Sequence, residues 1–206
     1  VHDISDKTTS TLNKTLENAE IAYSNLTALP RINRGKTFIV NSVAEAVKDA
    51  DLVIESIPER AELKHLLYEE IEKACKEEAL ITSSTSGILP SKLQKHMKKP
   101  GRFFVGHPFN PVYLLPLVEV VAGEKTSQST ITKAMEIYKS LGMHPIFIKK
   151  EIEAFVADRL LEAIWREALW LIKDGICTTA ELDDIVRLGF GLRYAQMGVF
   201  ETYRVA

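Results

Sequence analysis

One imidazole in this chain sits in an unusually stiff setting. His107 lies in Gly106-His-Pro-Phe-Asn-Pro111, where two prolines restrict the backbone around His107 and Asn110. Glu119 follows twelve residues later, inside the apolar run Leu117-Val-Glu-Val-Val121. A lone carboxylate in such a run is costly unless it has a partner, and an imidazole is a natural one. A carboxylate on one ring nitrogen sets the tautomer and makes the other nitrogen a better base near neutral pH. The chemistry on offer is general-base catalysis. Spacing alone leaves a second reading equally open, with a structural His and a Glu at a solvated strand end.

Two further polar clusters share the feature of following an apolar run. They are Glu55 to Glu59 and Ser83 to Ser86. Asp3 closes the short run Val1-His-Asp. In a dinucleotide fold, an acid at the end of the second strand binds the adenosine ribose hydroxyls. That role needs a Gly-rich turn upstream, and no GxGxxG occurs in the chain. Taken alone, Asp3 reads as a helix-capping or solvated residue. Cys75 and Cys177 fit no metal or redox spacing and read as reduced thiols of a cytosolic protein.

The elements that must carry these residues alternate. Apolar spacing predicts a helix over Lys7 to Asn25, with Leu12, Leu16, Ala19 and Tyr23 on one face. Phe38-Ile-Val40 reads as a strand, Ser42 with Glu45 as a capping box, and Leu52-Val-Ile54 as a further strand ended by Ile57-Pro58. Glu59 to Lys76 reads as a long amphipathic helix, Ala79 to Thr82 as a strand, and Ser91 to Met97 as a short helix. Strands over Phe103 to Val105 and Val118 to Val121, a helix over Ser127 to Leu141 and a strand over Pro145 to Ile148 complete this part. The alternation implies an α/β fold with a mostly parallel sheet covered on both faces. In such a sheet ligands bind beyond the carboxyl ends of the strands, where the polar clusters fall. After Lys150 the pattern is helical, from Phe155 to Asp174 and from Thr179 to Leu188. The expected organisation is one domain over 1–150 and the start of an all-α domain over 151–206. Val1-His-Asp3 looks like the tail of a strand already under way, so an upstream segment is expected, and the second part looks truncated.

The 206 residues are 46% apolar and 26% charged, with a formal net charge of −2. That balance is ordinary for a soluble protein and gives nucleic acid or an anionic membrane no attraction as a partner. No apolar run reaches the roughly 18 residues of a membrane span, and no signal peptide is recognisable.

Taken together, Ser84-Thr-Ser-Gly87, His107-Pro-Phe-Asn-Pro111 and Leu117-Val-Glu-Val120 resemble the 3-hydroxyacyl-CoA dehydrogenase superfamily. So do Asp51-Leu-Val-Ile-Glu-Ser-Ile-Pro-Glu59, Phe155-Val-Ala-Asp-Arg159 and Leu188-Gly-Phe-Gly191, and in this order the strings are highly specific. The resemblance runs through essentially the whole chain. It implies a Rossmann-type NAD-binding domain followed by a helical substrate and dimerisation domain. It implies His107 as the general base, Glu119 as its orienting carboxylate, and Ser86 and Asn110 as hydrogen-bonding partners of the substrate oxygen. It also implies that Asp3, Glu59, Lys64 and Ser86 contact NAD, that no metal is used, and that the protein is a homodimer.

Within the superfamily the strings are most similar to the carnitine-oxidising branch, with the gulonate-oxidising branch also similar around Gly191-Leu-Arg-Tyr-Ala195. The acyl-CoA enzymes usually have Asn where this chain has Ser84 and Asp158, and Met-Gly-Pro-Phe where it has Met197-Gly-Val-Phe200. These departures point away from a CoA thioester. Asp158 adds a negative charge suited to a cationic substrate such as carnitine, whose quaternary ammonium is held by carboxylates and aromatic faces. Glu162, Trp165, Tyr194 and Phe200 are candidates for the rest of such a cage. Core packing is the simpler expectation for Trp165 and Trp170. The alternatives to a carnitine dehydrogenase are a gulonate or 3-hydroxyacyl-CoA oxidoreductase and a catalytically idle binding protein.

Overall fold

Strand residues that must be buried on both faces read as continuous apolar runs, and the runs here build one sheet. A computed structural model describes residues 1–5, 7–26 and 35–205. Two compact units appear, Val1–Val156 and Ala157–Ala206.

In the first unit, α1 (Thr8–Leu26) is followed by α2 (Val43–Val47), β1 (Leu52–Glu55), α3 (Ala61–Ala74), β2 (Leu80–Ser83) and α4 (Pro90–Leu93). Then come β3 (Phe103–Pro108), β4 (Leu117–Val121), α5 (Gln128–Ser140) and β5 (His144–Ile148). The sheet has five strands in the order β1-β2-β3-β4-β5. β1, β2 and β3 run parallel, β3 and β4 antiparallel, and β4 and β5 parallel. The sheet is therefore mostly parallel.

Two expected elements change. Phe38–Val40 joins no ladder of the sheet. It pairs with Val1, which donates its amine to the Phe38 carbonyl and accepts from the Val40 N–H. The β3 strand extends past Val105 to Pro108, because the antiparallel partner β4 supplies pairing positions for Gly106 and His107. His107 is thus within a strand rather than in the loop after it. The expected box at Ser42 is half formed. Its hydroxyl accepts from the Glu45 N–H at 3.1 Å, while the Glu45 carboxylate receives the Asn41 amide instead of the Ser42 amide.

The period-2 alternation of strands sorts the core. Val53, Ile81, Phe103, Val105 and Val121 pack on one face with Tyr68, Ile71, Leu93 and Met97. Leu80, Phe104, Val118 and Val120 pack on the other with Ile131, Ala134 and Tyr138 of α5. The same alternation puts Glu55, Ser83, His107 and Glu119 on the first face, at successive strands. Gly106 faces the second, where an added Cβ would lie 2.2 Å from the Tyr138 hydroxyl.

In the second unit, α6 (Ala157–Lys173) ends at Gly175, whose φ of +68° suits glycine. The capped α7 (Thr179–Ile185) follows, with Thr178 and Glu181 exchanging side-chain and backbone bonds. A π-helical turn over Val186–Phe190, kinked at Gly189, leads to α8 (Gly191–Gln196) and α9 (Val199–Val205). This unit leaves much apolar surface in the open. Leu160, Leu161, Trp165, Leu169 and Trp170 are each more than half exposed, and Phe200 is 90% exposed. Core packing of the two tryptophans is therefore not what this unit shows; Trp170 instead lies under the Lys173 ammonium, 4.2 Å from its ring centre. No helix among the described residues is long and apolar enough to cross a membrane.

Candidate active site

The antiparallel ladder sets His107 directly opposite Glu119. Facing residues of such a pair have Cβ atoms about 5 Å apart on the same side of the sheet, within reach of a side-chain hydrogen bond. Here His107 Nδ1 lies 2.9 Å from Glu119 Oε2. The two residues are 4% and 2% exposed. Burying a carboxylate costs several kcal/mol unless its oxygens are satisfied. Glu119 Oε1 accepts the Val156 N–H at 3.0 Å, so both oxygens are engaged. With Nδ1 held by a carboxylate, the neutral imidazole carries its proton there and leaves Nε2 as the acceptor. The ring has aromatic neighbours in Phe109, 5.2 Å between centres, and Phe155, at 5.4 Å. The arrangement can take a proton from a hydroxyl and stabilise the resulting imidazolium.

A second polar group is built where β1 and β2 end. Glu55, the last residue of β1, is 2% exposed. Its carboxylate accepts from Lys64 Nζ, the Tyr68 hydroxyl, the Ser83 hydroxyl and the Ile57 N–H, each at 2.7 Å. Burial and the Glu55 charge push the Tyr68 phenol well above its ordinary range, so it stays a donor. Lys64 also donates to the Ile57 carbonyl at 3.1 Å and lies 3.4 Å from Glu59. Glu59 accepts in addition from the Thr85 hydroxyl. Partial burial pushes the Glu59 carboxyl up, but the Thr85 hydroxyl and the Lys64 ammonium outweigh it and hold it below the usual range.

The Glu59 side chain is 48% exposed. In the same loop as Thr85, Ser84 donates to the Ser56 hydroxyl and the Glu55 carbonyl, and Ser86 is exposed. An ionised, accessible carboxylate is the acceptor that a ribose diol requires. Glu59, fixed by Lys64 and Thr85, is chemically suited to hold hydroxyl groups of NAD.

The residues singled out from sequence are therefore placed as follows. His107 with Glu119 and Glu59 with Lys64 are brought into contact. Ser86 and Asn110 are exposed at the carboxyl ends of the adjacent parallel strands β2 and β3. Asp3 is exposed and accepts the Ser5 N–H at 2.8 Å, five residues before α1 begins at Thr8. Asp158 is in the first turn of α6, in the second unit. Glu55 belongs to a polar cluster visible in the sequence but has no individual role there, and Tyr68 and Phe155 have none either. The signal for Glu55 was present: an acid ending an apolar strand, with Lys nine residues on in a helix. Nothing in the spacing distinguishes Phe155 from an ordinary helix residue, and it lies outside the helix expected to begin with it. Among the described residues, no cluster of three or more His, Cys, Asp or Glu is set to hold a metal ion.

Residues 1–152 match the family model described as 3-hydroxyacyl-CoA dehydrogenase, NAD binding domain, and residues 155–206 match that of its C-terminal domain. The L-carnitine dehydrogenase of Mesorhizobium japonicum is 57% identical over 196 residues, covering 95% of this chain and 54% of its own length. An L-carnitine dehydrogenase/betainyl-CoA thioesterase of Rhizobium meliloti is 57% identical over 195 residues, covering 95% of this chain and 39% of its own length. The chain thus spans only part of the curated relatives it matches, from 39% to 62% of their length. Among solved structures, an NAD+-dependent dismutase, 5-formyl-3-hydroxy-2-methylpyridine 4-carboxylic acid 5-dehydrogenase, superposes with a TM-score of 0.88 at 32% identity, covering 99% of this chain and 69% of that one. An NAD-binding domain model over three quarters of the chain, a helical-domain model over the rest and a fold shared with an NAD+-dependent enzyme leave one assignment: the chain belongs to the 3-hydroxyacyl-CoA dehydrogenase family.

Proposed function

We propose that this protein oxidises the 3-hydroxyl of L-carnitine to 3-dehydrocarnitine, with NAD as the hydride acceptor and His107 as the general base. The observation that carries the reading is the buried His107–Glu119 pair, opposed across β3 and β4 with Nδ1 2.9 Å from the carboxylate. The high identity to L-carnitine dehydrogenases supports the substrate.

In this reading His107 Nε2 takes the hydroxyl proton as the C3–H bond breaks and the C=O bond forms. NAD, when bound, would supply the hydride acceptor. Glu119 stabilises the imidazolium, and its bond to the Val156 amide keeps the carboxylate from turning away. Ser86 and Asn110 direct their dipoles at the substrate oxygen, whose charge changes during reaction. Glu59 holds ribose hydroxyls, Lys64 fixes Glu59, and Asp3 serves the adenosine ribose. Asp158 supplies negative charge for the trimethylammonium group. Residues 1–150 serve the cofactor and 151–206 begin the substrate and dimerisation domain of a cytoplasmic homodimer.

The test is NADH absorbance with L-carnitine, gulonate and a 3-hydroxyacyl-CoA as competing substrates. Turnover is expected with L-carnitine and should fall by about 10²–10⁴ in His107→Ala while NAD still binds. A near-wild-type rate in that variant would sink the base assignment. Asp158→Asn should raise KM for L-carnitine; unchanged KM removes its role. Preference for gulonate or the thioester would overturn the substrate.

A further inference from the structure

Two successive non-glycine residues, Ala154 and Phe155, occupy the left-handed region, with φ of +59° and +47°. This conformation is disfavoured for L-residues and is rarer still for a bulky side chain. Such backbone persists where the surroundings over-determine it, and it clusters where geometry matters. Here the surroundings are the catalytic pair. The Phe155 ring is fully buried, in the core with Val105 and Val121, and packs against the His107 imidazole at 5.4 Å and 49°. The next amide, that of Val156, donates to Glu119 Oε1 at 3.0 Å. The Phe155 N–H closes the turn onto the Ile152 carbonyl at 3.1 Å. One turn therefore delivers an aromatic wall to the imidazole and a backbone donor to the carboxylate.

We propose that Phe155, together with the amide that follows it, is a positioning residue for catalysis: the left-handed turn Ala154–Phe155 locks the His107–Glu119 pair from the side opposite the strands that carry it. The inference rests on the reading of His107 as the base. Strand register brings the two side chains within reach, but each retains its own rotations. The Phe155 ring stops the imidazole from turning about its χ2, and the Val156 N–H fixes the carboxylate plane. Without the turn, the pair samples geometries in which Nδ1 loses its carboxylate and the tautomer is no longer set.

The experiment compares Phe155→Ala and the better-filling Phe155→Leu with wild type in the full-length protein. It reads kcat and KM for L-carnitine, the dissociation constant for NAD, and the downfield proton resonance of the His107 Nδ1–H bond. In Phe155→Ala, kcat should fall about tenfold or more and the resonance should broaden or vanish, with NAD affinity within twofold of wild type. Phe155→Leu should recover part of both, which also guards against an Ala variant that fails to fold. Wild-type kcat or an unaltered resonance in a folded Phe155 variant overturns the proposal. The same assay on His107→Ala separates the two claims. Retained turnover there defeats the functional reading. Lost turnover there, with Phe155 variants like wild type, defeats only the positioning role.

Discussion

Charge and shape at the Glu119 position are separable by a single isosteric change. In Glu119→Gln the carbonyl oxygen can keep the Val156 N–H, as Oε1 does now. The amide nitrogen then faces His107 Nδ1 and donates to it. The imidazole must carry its proton on Nε2, the wrong tautomer for accepting one from substrate. We expect kcat to fall by about 10²–10⁴ with NAD affinity unchanged, measured by steady-state kinetics and calorimetry; a loss under threefold would mean that the carboxylate sets no tautomer. Glu59 makes a different prediction, about pH. Thr85 and Lys64 hold its carboxyl below the ordinary range against a partial burial that raises it. A carboxyl depressed in the folded protein contributes above its unfolded value, and the contribution is lost as pH falls through the folded one. NAD affinity should therefore stay flat from about pH 8 to 5 and weaken only below the ordinary Glu value of roughly 4.3. Thr85→Val should move that loss to higher pH. Binding isotherms across this range check both; identical profiles for the two proteins would remove Thr85 from the account.

At the scale of elements, the critical contact is between β3 and α5. Gly106 precedes His107, and a Cβ there would lie 2.2 Å from the Tyr138 hydroxyl and 3.0 Å from Thr82 Oγ1. Tyr138 is buried against Phe104 and has little room to retreat. Gly106→Ala should destabilise the protein by about 1–3 kcal/mol, the usual cost of overpacking. Removing the hydroxyl with Tyr138→Phe should restore most of that, as read by chemical denaturation. A Gly106→Ala protein as stable as wild type would show that α5 yields freely. Most elements were legible in the sequence because their apolar spacing follows helix or strand periods. The exceptions are instructive. Phe38–Val40 has strand-like residues, but its backbone bonds go to Val1 and not to the sheet. Phe155 has helix-compatible spacing, but the core and the Glu119 carboxylate hold it in a left-handed turn, so α6 begins at Ala157.

For the whole molecule, the open question is what covers the helical unit. Soluble proteins rarely leave a large contiguous apolar face in water. Several large apolar side chains of α6 to α9 are more than half exposed. The proposed homodimer accounts for them. Sedimentation of the full-length protein at micromolar concentration should give a dimer, and a charge placed at Trp165, as Trp165→Glu, should shift it toward monomer. A monomer in both cases would end that reading.

The sequence by itself determined the fold class, the alternation of strands and helices, and the polar clusters expected to converge beyond the strand ends. It did so because periodicity and turn chemistry are local properties of the chain. It left His107 with Glu119 open between two readings, because twelve residues of separation do not state a register. Only the tertiary structure decided that the two face each other across an antiparallel pair inside a mostly parallel sheet. It also completed the four-donor cradle around Glu55, of which spacing signals only Lys64, and revealed what no spacing carries: the aromatic wall and backbone amide that the Ala154–Phe155 turn brings to the pair. Apart from the Ile57 amide, two residues from Glu55, those contacts join residues nine to 48 positions apart, and burial in a shared core is what selects them.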